Sequence, residues 1–223
     1  MVCFGSYLHQ LSTQAKWGRL SLGEVPILIG EIGLPYDIND AHAYRTGDYS
    51  KHVELVDGML SALEKNWASF AWWNFNPDCI CEYGDGWNKE DFSVIALDEQ
   101  SRDHANKKGE TDELYKGGRV LEGLIRPYAA KVAGVPRDTN WDRHNWEFTF
   151  AWANSRSVQL DEKVRTTEIF WPKYLFEGET IKVELSDGNW RIDEQVRPHG
   201  FDASIEDADD FFCAQGPNTL RRA

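Results

Sequence analysis

The sequence predicts two architectures in one chain, an α/β part followed by an all-β module. Three observations carry this. Up to about residue 75 the apolar positions fall in the order helix, strand, loop, helix, strand, an alternation that suggests a parallel sheet. Past residue 145 the apolar period changes from 3.6 to 2. Between the two, Gly134, Pro136 and a polar run to Asn145 mark a boundary. The expected parts are residues 1–135, a β-sandwich at 136–194 and a divergent acidic tail at 195–223.

Each element has its own signal. Phe4, Tyr7, Leu8, Leu11 and Ala15 share one helical face. Pro26 opens a short apolar strand over Ile27–Ile29. The stretch Tyr36–Tyr49 is polar and long for a connection, which suggests a functional loop. Ser50 is a plausible N-cap for a helix that buries Val56, Met59, Leu60 and Leu63. A strand follows over about Ala68–Phe75. Residues 76–112 read as a long structured loop, then a flexible stretch from about Asp98. Leu114, Leu121, Leu124 and Tyr128 predict another amphipathic helix, disturbed by Pro127. Trp146, Phe148, Phe150 and Trp152 alternate with Glu147, Thr149 and Ala151 as a half-buried strand. This aromatic row is read as sandwich core rather than a sugar-binding face. Thr166–Trp171 and Ile181–Leu185 are further strands, and Asp187-Gly188 turns into Trp190–Ile192. From Gln195 the alternation stops, and the tail is expected to add no strand.

The stretch that points to chemistry is Ile27-Leu-Ile-Gly-Glu31-Ile-Gly-Leu-Pro-Tyr-Asp37. A lone carboxylate between an apolar strand and a Gly/Pro turn is costly to bury unless paired or used. From the residues alone Glu31 stays open between two readings: a catalytic carboxylate, and a strand-end group that faces solvent or caps the next helix.

Bulk properties exclude several classes. The chain has 223 residues, 24 basic and 37 acidic, for a net charge of −13. That balance argues against nucleic acid and anionic membrane surfaces. The 10 Trp permit carbohydrate binding without establishing it. Cys3, Cys79, Cys81 and Cys213 offer no Cys-x-x-Cys pair, so no metal site is expected. No secretory signal and no membrane-length apolar run is seen, which reads as soluble and intracellular.

Gly30-Glu31-Ile32-Gly33-Leu34-Pro35-Tyr36-Asp37 resembles the nucleophile strand of glycoside hydrolase family 5. The similarity lies nearest the fungal glucosylceramidases and steryl β-glucosidases, relatives of the endoglycoceramidases. It continues through Phe70-Ala-Trp-Trp-Asn-Phe-Asn-Pro-Asp78, Gly86-Trp-Asn-Lys-Glu-Asp-Phe-Ser93, Gly117-Gly-Arg119 and Arg126-Pro-Tyr128, within a span of roughly Phe4 to Asp193. The resemblance implies the C-terminal portion of a TIM (β/α)8 barrel followed by a small β-sandwich. It also implies a retaining β-glycosidase acting on glycolipid β-glucosides. Glu31 would be the nucleophile, and the acid/base would lie on an earlier strand outside this sequence. Trp73 would be the aromatic platform beneath the sugar, and Trp72, pointing towards the helix layer, is a second substrate-binding candidate; barrel core packing is the alternative for both. Asn74, Asn76, Trp87, Asn88, Glu90 and Asp91 lie at or past the same strand end, where barrel sites gather polar groups. Ordinary turn chemistry is their alternative. Tyr36 and Asp37 are candidates for the rim. No cofactor and no obligate protein partner is implied, and contact with membrane lipid would be transient. The competing class is an inactive fragment or carbohydrate-binding module.

Overall fold

A computed structural model describes residues 2–23, 25–98, 115–154, 166–176, 179–186, 189–193, 200–206 and 218–222. The chain divides into two compact units, Met1–Leu124 and Ile125–Ala223. No helix among the described residues is long and apolar enough to cross a membrane.

The first unit mixes helix and sheet. Helix α1 (Val2–Leu22) leads to strand β1 (Leu28–Gly33), and helices α2 (Ile38–Thr46) and α3 (Ser50–Lys65) lead to strand β2 (Ser69–Trp73). β1 and β2 are parallel, as the helix-carrying connection between them requires. The α3 face set by Val56, Met59, Leu60 and Leu63 is buried and joins Leu11 of α1 in one hydrophobic cluster. Ile29, Ile32 and Trp72 pack against the same cluster, whereas Leu28 and Phe70 are exposed. Two expectations change. The stretch 36–49 is not all loop, because α2 occupies its middle and stops at Gly47 in a left-handed C-cap. Tyr49 rather than Ser50 holds the N-cap position of α3, with no side-chain capping bond, and the Ser50 N–H donates to Asp48 Oδ1 at 2.9 Å.

Helix α4 is one turn, Leu121–Leu124. The helix expected to run on to Tyr128 stops there, since Pro127 cannot continue it. Tyr128 begins a strand instead. Leu114 and the flexible stretch expected near residues 99–112 lie outside the described residues.

The second unit is antiparallel β. Its strands are β3 (Tyr128–Lys131), β4 (Gly134–Asp142), β5 (Glu147–Asn154), β6 (Thr167–Pro172), β7 (Ile181–Glu184), β8 (Asn189–Asp193), β9 (Gly200–Glu206) and β10 (Asn218–Arg222), with a short helix α5 (Lys173–Phe176). Among the described residues they form two four-stranded sheets, ordered β4-β5-β10-β7 and β3-β6-β9-β8. One buried cluster draws Trp141, Phe148, Phe150 and Trp152 from the first sheet and Ile169 and Trp171 from the second. The aromatic row of β5 is therefore core: Phe148, Phe150 and Trp152 are all buried.

The sequence missed β4 and the tail strands. β4 looks like a boundary in the sequence because it holds Gly134, Pro136 and polar residues. Its place at the sheet edge explains the composition, for Pro is tolerated on an edge strand beside a bulge. The register shift between Pro136 and Asp138 is such a bulge. The tail expected to form no strand supplies two, and both are inner strands. The main-chain ladder of β9 with β6 and β8 overrides the weak local signal.

Candidate active site

The site grows from an irregularity in β1. Ile29 pairs with Phe70 and Ile32 with Trp72, so three steps along β1 match two along β2. The extra residue falls at Gly30–Glu31. Bulges re-aim side chains and recur beside active sites. Glu31 occupies this one, with its side chain exposed. Two residues on, Gly33 pairs with Trp73, the end of β2. A Cβ at Gly33 would meet the Trp73 carbonyl oxygen at 1.9 Å, so only glycine lets the strand ends close up.

Past β2 the chain is pinned by Asp85. The Trp73–Asn74 peptide is cis. Asp85 is buried and accepts from Asn74 Nδ2 at 2.8 Å, the Trp87 N–H at 2.9 Å and the Phe92 N–H at 3.2 Å. Asn76 Nδ2 donates to the Asp85 carbonyl, and the Asn76 N–H donates to Ser93 Oγ at 3.0 Å. These two asparagine amides thus hold the loop. Asn74 Oδ1 is buried with no partner among the described residues. Asn88 and Lys89 turn the loop in the left-handed region, with φ of 50° and 61°. Trp87 and Asn88 stand exposed at that turn.

A second network lies beneath. Arg119 and Asp91 are buried and paired through both guanidinium ends, NH1 to Oδ2 at 2.9 Å and NH2 to Oδ1 at 2.8 Å. Tyr44 Oη donates to Asp91 Oδ2, and Cys79 Sγ donates to Asp91 Oδ1 at 3.3 Å. Burial pushes the Cys79 thiol up to about 12, so it stays protonated at neutral pH. Burial likewise raises the Tyr36 phenol, with the Arg119 charge opposing. Burial, then the hydrogen bond to Asp91, raises Tyr44. For Arg119, burial works against the charge, but Asp91 outweighs it and keeps the guanidinium protonated. Arg119 stands 4.5 Å above the Tyr36 ring, and Tyr36 stacks on His52 at 5.6 Å. His52 is buried, and neither ring nitrogen has a hydrogen-bond partner of ordinary geometry among the described residues. Burial lowers its pKa; the Tyr36 backbone opposes this and the Arg119 charge adds to it.

The structure therefore brings Glu31 and Trp73 to neighbouring strand ends. Asp37 is exposed just beyond β1, and Glu90 is exposed in the loop after β2. Tyr36 is fully buried, Asp91 is held in the ion pair, and Trp72 packs into the helix cluster. The sequence names Arg119 only within the Gly117-Gly-Arg119 motif, with no role attached, and carries no signal for Tyr44, His52 or a partner of Cys79. Their signal was spatial: residues 79, 91 and 119 converge only after folding. No group of three or more metal-binding side chains occurs among the described residues.

Residues 126–202 match the family model described as the glycoside hydrolase family 5 C-terminal domain. The chain carries a glycoside hydrolase family 5 C-terminal domain. That domain accounts for strands β3 to β8 and the start of β9. Over 197 residues the chain is 37% identical to a glucosylceramidase of Rhizopus delemar, covering 86% of this chain and 28% of that protein. Over 101 residues it is 38% identical to ergosteryl-beta-glucosidase of Saccharomyces cerevisiae, covering 43% of this chain and 13% of that protein. The fold is that of sterylglucosidase 1 of Cryptococcus neoformans, with a TM-score of 0.83 over 99% of this chain and 32% of that one, at 24% identity. The chain thus spans under a third of the length of these relatives, and the part ahead of the C-terminal domain is the α/β unit with Glu31.

Proposed function

We propose that this chain is the nucleophile-bearing part of a retaining β-glucosidase acting on glycolipids such as glucosylceramide or steryl glucoside. The observation that carries the reading is Glu31, exposed in the bulge of a parallel strand beside the end of β2. The relatedness to a glucosylceramidase over most of the chain supports the same substrate class. In this reading the first unit is the closing βαβ portion of a (β/α)8 barrel, and the second is a β-sandwich packed on its own core.

A Glu31 carboxylate oxygen forms a bond to the anomeric carbon. The bond from that carbon to the aglycone oxygen breaks, and the leaving oxygen takes a proton from a general acid. Water then attacks the glycosyl-enzyme, the same acid now serves as base, and Glu31 is released with configuration retained. We assign the acid/base to no residue of this chain and place it in the part of the barrel that the chain does not span. Trp73 offers a flat apolar face to the sugar. Trp87, Asn88 and Asp37, all exposed, would border the opening, and the buried Asn74 Oδ1, without a partner among the described residues, is a further candidate. Lipid substrate reaches the site through transient contact with a membrane surface.

The test uses a 2-fluoro-β-glucoside, which slows breakdown of the intermediate. In the protein extended to the length of its relatives, peptide mapping should find the glycosyl mass on the Glu31 peptide. Label on another carboxylate, or an inverted product, would sink the assignment.

A further inference from the structure

Residues 91–94 lie as a strap across the ends of both parallel strands. The Asp91 carbonyl accepts from the Tyr36 N–H at 2.7 Å, just past β1. The Phe92 carbonyl accepts from the Asn74 N–H at 3.1 Å, just past β2, and the Val94 N–H donates to the Asn74 carbonyl at 3.0 Å. Arg119 fixes the strap from below. Its backbone N–H donates to the Val94 carbonyl at 2.7 Å, and its guanidinium takes both Asp91 oxygens. Phe92 also lies against Gly33, with its ring edge 3.2 Å from where a Cβ would sit.

We infer that Arg119 is a positioning residue for Glu31, acting through Asp91 and the strap rather than on the sugar. This rests on the reading of Glu31 as nucleophile. Past the bulge that aims Glu31, Ile32 and Gly33 pair with Trp72 and Trp73 at the end of β2. Beyond the strand end, the Tyr36 N–H is held by the strap. The other end of the strap holds Asn74, the residue after Trp73. The nucleophile strand and the aromatic platform are therefore referred to one piece of backbone. A buried ion pair is a poor stabiliser compared with apolar packing, but a bidentate fork fixes distance and angle together. Such a pair suits positioning, where a small displacement of a reacting group costs far more in rate than in folding.

The experiment uses the protein extended to the length of its relatives and compares it unsubstituted with Arg119→Lys, Arg119→Ala and the double variant Arg119→Met with Asp91→Leu, which keeps the volume and removes both charges. Two readouts are taken. The first is amide hydrogen exchange at Tyr36 and Asn74, referred to Met59 on α3. Exchange at the two strand ends should rise while Met59 stays protected. The second is inactivation by the 2-fluoro-β-glucoside. The maximal rate should fall about 100-fold in the double variant with its half-saturating concentration unchanged, as a misplaced nucleophile requires. Guanidinium ion should restore part of the rate to Arg119→Ala and none to the double variant. A folded double variant that labels at the full rate would overturn the inference, as would exchange rising equally at Met59. If the unsubstituted protein does not label on Glu31, the nucleophile reading fails, and the exchange rates still decide whether Arg119 holds the strap.

Discussion

Among the described glycines, Gly33 leaves the least room for an added methyl group. Its Cβ would stand 1.9 Å from the Trp73 carbonyl oxygen, a main-chain atom that cannot rotate away. Gly33→Ala should destabilise the first unit by about 1–3 kcal/mol or more, read as a lower urea midpoint. Gly30, with open space around its missing Cβ, should tolerate alanine with little change. His52 gives a pH dependence. Its folded pKa lies below the ordinary 6.5, so the unfolded chain binds the proton first as the medium is acidified. The stabilisation from burying the neutral ring is complete above pH 6.5 and is lost as pH falls from there towards the folded pKa. Melting temperature followed from pH 7 to pH 5 should fall less steeply in His52→Phe than in the natural sequence. The ionisable groups that bear on this ring are Tyr36, Tyr49, Arg119, Asp48 and Asp37. Glu31 was legible as a residue because its strand is short, apolar and ends in Gly and Pro. The Arg119–Asp91 pair was not, because its members stand 28 positions apart in the sequence and meet only in the fold.

Among the elements, those with a clean period were readable. Helix α3 shows it in Val56, Met59, Leu60 and Leu63, and β5 in Phe148, Phe150 and Trp152. β4 was hidden because an edge strand accepts Pro136 and solvent-facing polar groups, which also spell a linker. β9 and β10 were hidden because acidic and polar residues obscure their period, although each is an inner strand. Removing residues from Gln195 onward should therefore do more than trim a tail. It takes β9 from between β6 and β8, and β10 from between β5 and β7. The truncated chain should lose the near-ultraviolet circular dichroism of its buried Trp141, Trp152 and Trp171 and unfold without a cooperative transition for that unit. A sharp transition at the original temperature would contradict the pairing.

At the scale of the molecule, a net charge of −13 accompanies large apolar side chains that the first unit leaves exposed. Trp17 is 65% exposed, Leu20 68%, Leu28 67% and Phe70 41%. Like charge keeps copies apart, and salt screens it over about 10 Å at 0.1 M. Light scattering by the isolated chain should therefore rise with added sodium chloride. Unchanged scattering would show that these side chains do not promote association.

The position of β10 also sets an order of events during synthesis. Its neighbours β5 and β7 are made first, and neither has its final partner until residue 222 has left the ribosome. During that interval two strands rich in aromatic and aliphatic groups carry unpaired edges, the condition under which nascent chains stick to one another. The sheet that holds β5 and β7 therefore closes last, when its latest strand is made, while β4 and β5 can pair before it.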